Sequence, residues 1–591
     1  MLLQAREFHV STQGDDKAAG TRKRPLRTIM QAATLAMPGD IITVHEGTYR
    51  ERIDPPRGGE PGRPITYRAA KGEEVWIKGS EVITGWVKQN GNTWRVAIPG
   101  SYWKGFNPYA DTIHGDWLER GKWCHTGEVY AHGQALKETQ TLDELLQAES
   151  ASGLWHCQTT ADSTILWATF AHSPNDGNTE INVRQSVFYP SKPNIDYIHV
   201  KGFHLSQAAT PWAPPTAEQI GLLGAHWSKG WVIEDNEVSH SKCVGITLGK
   251  YGDEWDNKSE SVEGYVMTIK RAIANHWDKE HIGSHIVRHN HVHDCGQAGI
   301  AGSLGAAYSL VEWNHIHDIS RNQQFWGYEL AGIKFHGAVD GIIQHNHIHH
   351  TEGGIWLDWM TQGTRITRNL LHDNQVQDFS LEVNHGPILV DHNLFLSEQL
   401  AQIKLSQGVA FVSNLIAWNV WQMPPLEQRE TPYLLPHSTQ IAGIRNCPCG
   451  DVTYADNIFT RSDNVSYDDN MLPVRMEGNL YAGSSRPSKH DTVATLLPGT
   501  DLRIRIEPEA DGWYLYARLP KEWEQAGSRH IASTRQLEPA LIPAQDFNLQ
   551  DGTPVTFARD YLGRRKPGGF SCGPIAFRQP GDVRIKVWPA E

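Results

Sequence analysis

The chain has 591 residues, 39% of them hydrophobic and 20% charged, an ordinary globular mixture too long for one small domain. Its 54 basic and 67 acidic residues leave a formal charge of −13, which disfavours a nucleic-acid partner and suits a neutral or cationic ligand. No stretch reaches the roughly 18 apolar residues of a membrane span, and MLLQARE carries charge where a secretory leader has its apolar core.

A cytoplasmic location is therefore expected, with no membrane and no nucleic acid as partners. The seven cysteines lack paired metal-ligand spacing and read as reduced, mostly buried thiols. The 22 tryptophans fit either sugar stacking or core bulk.

Residues 1–84 open with a strand and turn, FHVSTQGDD. Residues 25–37 then place Leu26, Ile29, Ala32, Ala33 and Ala36 on one helical face, and GDIITVHEGTYRERI alternates as strands do. A helix here would cap an open solenoid end. Residues 85–190 hold short alternating strands such as ILWATF at 165–170. The tail, 496–591, alternates likewise through Leu502, Ile504 and Ile506, and through Val583, Ile585 and Val587. These two stretches are expected to pair into one flanking antiparallel β-sandwich.

Between them, residues 191–495 carry a repeat, apolar-x-x-Asn-x-apolar. Its asparagines are Asn236, Asn290, Asn314, Asn346, Asn369, Asn393 and Asn414, with weaker copies at Asn457 and Asn479. The basic step is 21–24 residues, lengthened where a coil carries an insertion. Short β-branched runs ending in Asn, Gly, Asp and His at this period predict a parallel β-solenoid, in which coils stack because none buries its face alone. The repeated Asn would form a ladder at a bend. The neighbouring histidines, among them His315, His317, His347 and His349, read as turn and surface residues. An insertion at 251–283 carries Val266, Ile269, Ile273 and Trp277 at helical spacing and reads as a helix on the solenoid's outside.

The repeat places carboxylates in space. Glu329 lies 15 residues after Asn314, Asp358 12 after Asn346 and Glu382 13 after Asn369. All three are expected near one position on successive coils, with Asp358 facing solvent. Strands lie about 4.8 Å apart, so Asp358 and Glu382, one coil apart, should hold their carboxyls roughly 5 Å apart. Retaining glycosidases use about 5–5.5 Å and inverting ones about 6.5–9.5 Å. Like charges so close should raise one pKa, as a general acid requires. Trp356 and Trp359 flank Asp358, and Lys334 and Lys404 can partly neutralise the cluster. There is no GxSxG, HExxH or Walker loop.

The blocks FHVSTQGDD, PGDIITVHEGTYRE, NPYADTIHGDWL, AATPWAPPTAEQ, WSKGWVIEDN, AGIKFHGA, WLDWMTQGTR and LEVNHGPILVDHN together resemble glycoside hydrolase family 120 along nearly the whole chain. The resemblance implies an all-β fold, a right-handed parallel β-helix with a flanking β-sandwich, and β-xylosidase activity. It implies Asp358 as nucleophile, Glu382 as acid/base and Glu329 as a substrate-holding residue. Tyr328, where some members have His, and Trp212, a pocket wall or a loop-packing residue, join the substrate-binding set. Trp356, Trp359, Lys334, His336 and His385 are placed there too. It implies no metal or organic cofactor, a xylo-oligosaccharide substrate and a homo-oligomer. Competing readings are a polysaccharide lyase with Lys334 or Lys404 as base, and a non-catalytic carbohydrate-binding solenoid.

Overall fold

A computed structural model describes residues 5–589 apart from 120–123, 149–152, 259–260, 322–323, 398–400, 418–419, 424–428, 526–530, 567–571 and 578. The chain sorts into two compact units. One comprises Met1–Glu260, Asn290–Gly302 and Asp318–Leu330, and the other Ser261–His289, Ser303–His317 and Ala331–Glu591. Among the described residues no helix is long and apolar enough to cross a membrane. All seven cysteines are buried and none is in a disulfide.

In the first unit the N-terminal strand Glu7–Val10 pairs in parallel with Ile41–Val44, which pairs with Ile65–Ala69. The helix Ile29–Leu35 sits where the sequence places it. The Thr28 hydroxyl caps it by accepting from Gln31 N at 3.2 Å, and it buries Ile29, Ala32 and Ala33. Residues 85–190 form largely antiparallel sheets. Ser163–Thr169 pairs with Leu154–Thr159 on one side and with Thr93–Pro99 on the other. Its alternating inner side chains join an apolar cluster with Trp86, Tyr109 and Trp155.

The second unit holds most of the coils. Most coils turn through three strands, and like strands of successive coils pair in parallel. The first sheet stacks Val311, Ile343, Ile366, Val390, Phe411, Tyr454 and Met476 in register, and all are buried. After each comes a bend. The residue before each ladder asparagine takes a left-handed conformation, with φ of 57° at Trp313, 54° at His345, 55° at Arg368 and 55° at His392. That bend turns the Asn N–H away from its strand partners. The next coil's Asn Oδ1 accepts it: Asn346 N reaches Asn369 Oδ1 at 2.9 Å and Asn369 N reaches Asn393 Oδ1 at 3.0 Å. Each Nδ2 also donates back to the coil before, as Asn369 does to the Ile343 carbonyl. The ladder thus satisfies buried corner amides that would otherwise have no partner. It ends at Asp491, which accepts from Asn479 Nδ2 at 2.7 Å.

The tail folds as a three-stranded antiparallel sheet, Arg505–Glu509, Gly512–Leu519 and Gly581–Trp588. Its Leu515, Leu519 and Val587 pack with Leu370, Leu394, Leu415, Ile458 and Leu480 of the coils. Among the described residues, this sheet and the sheets of 85–190 keep separate hydrogen-bonded partners and separate apolar clusters.

Candidate active site

The third sheet of the second unit carries the chemistry. Its strands are β1 (Ala331–His336), β2 (Gly353–Asp358), β3 (Gln377–Asn384) and β4 (Ala401–Ser406), paired in parallel in that order. Strand alternation explains which side chains face the core. Ile333, Phe335, Ile355, Leu357, Phe379, Leu381 and Ile403 point inward and are buried. The intervening residues form two columns on the other face. One is Lys334, Trp356, Ser380 and Gln402, and the other is His336, Asp358, Glu382 and Lys404.

Asp358 and Glu382 are direct register partners. Parallel strands hold such partners about 4.8 Å apart. Asp358 is 5% exposed, so the expected solvated carboxylate is instead covered. Lys334 Nζ lies 2.8 Å from its Oδ2, His336 Nε2 lies 3.7 Å from the same oxygen, and Trp359 N donates to Oδ1 at 2.8 Å. Lys334 also sits over the Trp356 ring, 3.3 Å from its centroid. Glu382, 8% exposed, meets Lys404 Nζ at 2.8 Å and Arg429 Nη1 at 3.4 Å.

The two carboxyls are therefore pushed in opposite directions. Burial alone would raise Asp358, but the Lys334 ammonium, His336 and the Trp359 amide hold it below the ordinary aspartate range. Burial and the adjacent Asp358 charge push Glu382 above the ordinary glutamate range, against Lys404 and Lys334. Adjacent carboxyls shifted apart, one toward a carboxylate and one toward a carboxylic acid, are what two-carboxylate glycoside chemistry requires.

The profile described as glycoside hydrolase 120, insertion domain, matches residues 83–154, and one described as a right-handed beta helix region matches 220–416. A solved structure of XylC in complex with xylose superposes with a TM-score of 0.93 and 38% identity, over 98% of this chain and 100% of that one. The chain belongs to glycoside hydrolase family 120. Its coils are accordingly those of a right-handed parallel β-helix.

Shorter similarities reach the uncharacterized protein YwoF of Bacillus subtilis (39% over 75 residues) and pectate lyase PEL9 of Emericella nidulans (38% over 80). These span 13% of this chain, and 16% and 20% of those two proteins.

Within this family 120 chain, Glu329 does not share the column. The register partner of Asp358 on the preceding strand is His336. The step from Asn314 to Asn346 is 32 residues, against 23 from Asn346 to Asn369. The extra residues precede β1, so an equal count from the ladder lands before the strand rather than on it.

Glu329, Tyr328 and Trp212 belong to the first unit. Glu329 is 3% exposed and Tyr328 is 47% exposed, with its ring 5.0 Å from Trp326. Trp212 is buried, edge-on to Phe325, and donates from Nε1 to the Asp116 carbonyl at 2.9 Å.

His385 is turned inward. Its Nε2 meets the Thr431 carbonyl at 3.2 Å, and Gln407 Nε2 donates to its Nδ1 at 2.7 Å. Burial lowers it to about 4, so it is a neutral structural ring. Thr431 belongs to the hairpin strand Glu430–Leu434, and Gln362 grips Leu434 of that strand through both amide atoms at 2.9 Å. The hairpin thereby fixes Arg429, one residue before it, at Glu382.

Two site residues escape sequence reasoning. Arg429 comes from a segment outside the repeat. Tyr265 comes from the inserted helix Val262–Ala274, which does form; its ring lies 4.8 Å from Trp359 and 5.8 Å from His336. The helical spacing at 266, 269 and 273 was legible, but it marked only the packing face.

Proposed function

We propose that this protein is a retaining, exo-acting β-xylosidase that releases xylose from the non-reducing end of xylo-oligosaccharides. The reading rests above all on Asp358 and Glu382, register partners on adjacent rungs whose acidities are shifted in opposite directions. The substrate rests on the similarity to XylC, whose solved structure holds xylose.

The neutral Glu382 carboxyl donates its proton to the glycosidic oxygen as Asp358 attacks C1 from the opposite side. The C1–oxygen bond breaks and a xylosyl–Asp358 ester forms. Glu382, now ionised, takes a proton from water, whose oxygen attacks C1. The ester breaks, regenerating Asp358 and releasing xylose in the β configuration.

Lys334 and the Trp359 amide keep Asp358 ionised and aimed. Once Glu382 has lost its proton, Lys404 and Arg429 stabilise it as the base of the second step. Activity should therefore be bell-shaped in pH. It falls on the acid side as Asp358 becomes protonated, and on the alkaline side as Glu382 loses the proton it must donate.

Proton NMR of xylobiose hydrolysis from time zero tests the reading. Early β-xylose from wild type and none from Asp358→Asn is expected. Early α-xylose would overturn the retaining assignment, and absence of xylose from wild type would overturn the substrate.

A further inference from the structure

The second sheet of the second unit carries a cluster that the chemistry above does not use. Strands His315–His317 and His347–His349 pair in register, and Leu370–His372 follows. Sequence alone placed these histidines at the surface, but His347 is 0% exposed, His372 3% and His349 6%. Two tail indoles lie over them. Trp513 is 4.8–5.1 Å from His347, His349 and His372, and Trp588 is 4.9–5.0 Å from His315 and His347.

The ring nitrogens converge. His315 Nε2 and His349 Nε2 are 2.9 Å apart, and His347 Nε2 and His372 Nε2 are 2.8 Å apart. Ligand nitrogens of His315, His347 and His349 all lie within 4.8 Å of one another. Two of the rings are held from behind. Asp373 accepts from His372 Nδ1 at 2.7 Å, and His349 Nδ1 meets His350 Nδ1 at 2.6 Å. A carboxylate on the far nitrogen fixes the tautomer that leaves Nε2 bare, the usual support of a metal-binding imidazole.

We propose that His315, His347, His349 and His372 bind one late first-row divalent cation, taken here as Zn²⁺. An all-imidazole set favours such ions over Mg²⁺ or Ca²⁺. Zn–N bonds of about 2.0–2.1 Å put tetrahedral ligand nitrogens roughly 3.3 Å apart. Binding then spreads each close pair by about half an ångström and turns the stacked rings of His315 and His347, and of His349 and His372, toward the ion. The ion replaces the two Nε2–Nε2 hydrogen bonds with ligand bonds. It ties three successive coils together beneath the tail sheet whose indoles cover it. Its role is structural, because the catalytic carboxylates lie on the third sheet.

The test uses the full chain, stripped with a chelator and titrated with ZnCl₂ by calorimetry and thermal unfolding. One Zn²⁺ per chain at micromolar affinity or tighter is expected, with a Tm rise of several degrees and kcat unchanged. His347→Gln and His349→Gln should each weaken Zn²⁺ binding by about 10–100-fold or more and abolish the Tm rise. No binding by wild type, or wild-type affinity in both variants, would overturn the proposal. If the variants do not fold, anomalous diffraction from wild-type crystals at the zinc edge decides. A peak among the four rings supports the site, and a peak elsewhere or none overturns it.

Discussion

Two places on the same coils obey the same rule with opposite results. At the asparagine corner, like residues stack on like, and each amide both donates to and accepts from its neighbours, so the column is neutral and saturated. On the third sheet's outer face, the rung spacing stacks His336, Asp358, Glu382 and Lys404, two carboxyls between two basic residues, all but Lys404 buried. Stacking that saturates an amide forces a charge conflict between carboxyls. That conflict lowers Asp358, beside Lys334, and raises Glu382, the divergence that the proposed chemistry uses.

The sharpest way to break the comparison is Asp358→Ala. Turnover of xylobiose should fall on the order of 10⁴-fold or more, because the attacking group is gone. The fold should survive, since Asp358 lies on the face opposite the core leucines. Loss of the far-ultraviolet β signal in this variant would instead make Asp358 a structural residue.

Lys334→Met removes the cation 2.8 Å from Asp358. Asp358 should then rise, moving the acid limb of the kcat/KM profile up by roughly 1–3 pH units. An unmoved limb would mean that another group sets Asp358.

Asn369→Ala tests the saturated side. Its neighbours' buried partners are left unpaired, at a cost of about 1–3 kcal/mol in urea unfolding, while kcat per folded molecule should hold. A catalytic loss without a stability loss would erase the distinction between corner and site.

The smallest effect is expected from Arg429→Met. Its contact with Glu382 is longer, 3.4 Å, and Lys404 remains. Glu382 should rise slightly further, shifting the alkaline limb upward by less than about one pH unit with kcat near wild type. A downward shift would contradict the assigned charge relationship.

Much of this was legible in one dimension. The period of 21–24 residues, the ladder asparagines, the capping helix and the one-coil offset between Asp358 and Glu382 are all regularities of spacing. A solenoid converts sequence distance into spatial distance almost linearly, so counting suffices wherever coils are of equal length. Counting fails where they are not, which is why Glu329 was placed on a column that His336 occupies.

Residues brought from outside the repeat were beyond reach for the same reason. Tyr265 arrives on an inserted helix and Arg429 ahead of a hairpin, and no period links either to Asp358. The same holds for the histidines of the second sheet, whose alternation reads as exposed until the tail sheet lays Trp513 and Trp588 over them. Sequence by itself determined the coil, its corners and the pairing of two carboxylates, because each depends on a local repeat. Tertiary structure alone decided which way each carboxyl is shifted and which outer faces are dry, because burial and charge are set by whatever the rest of the chain brings near.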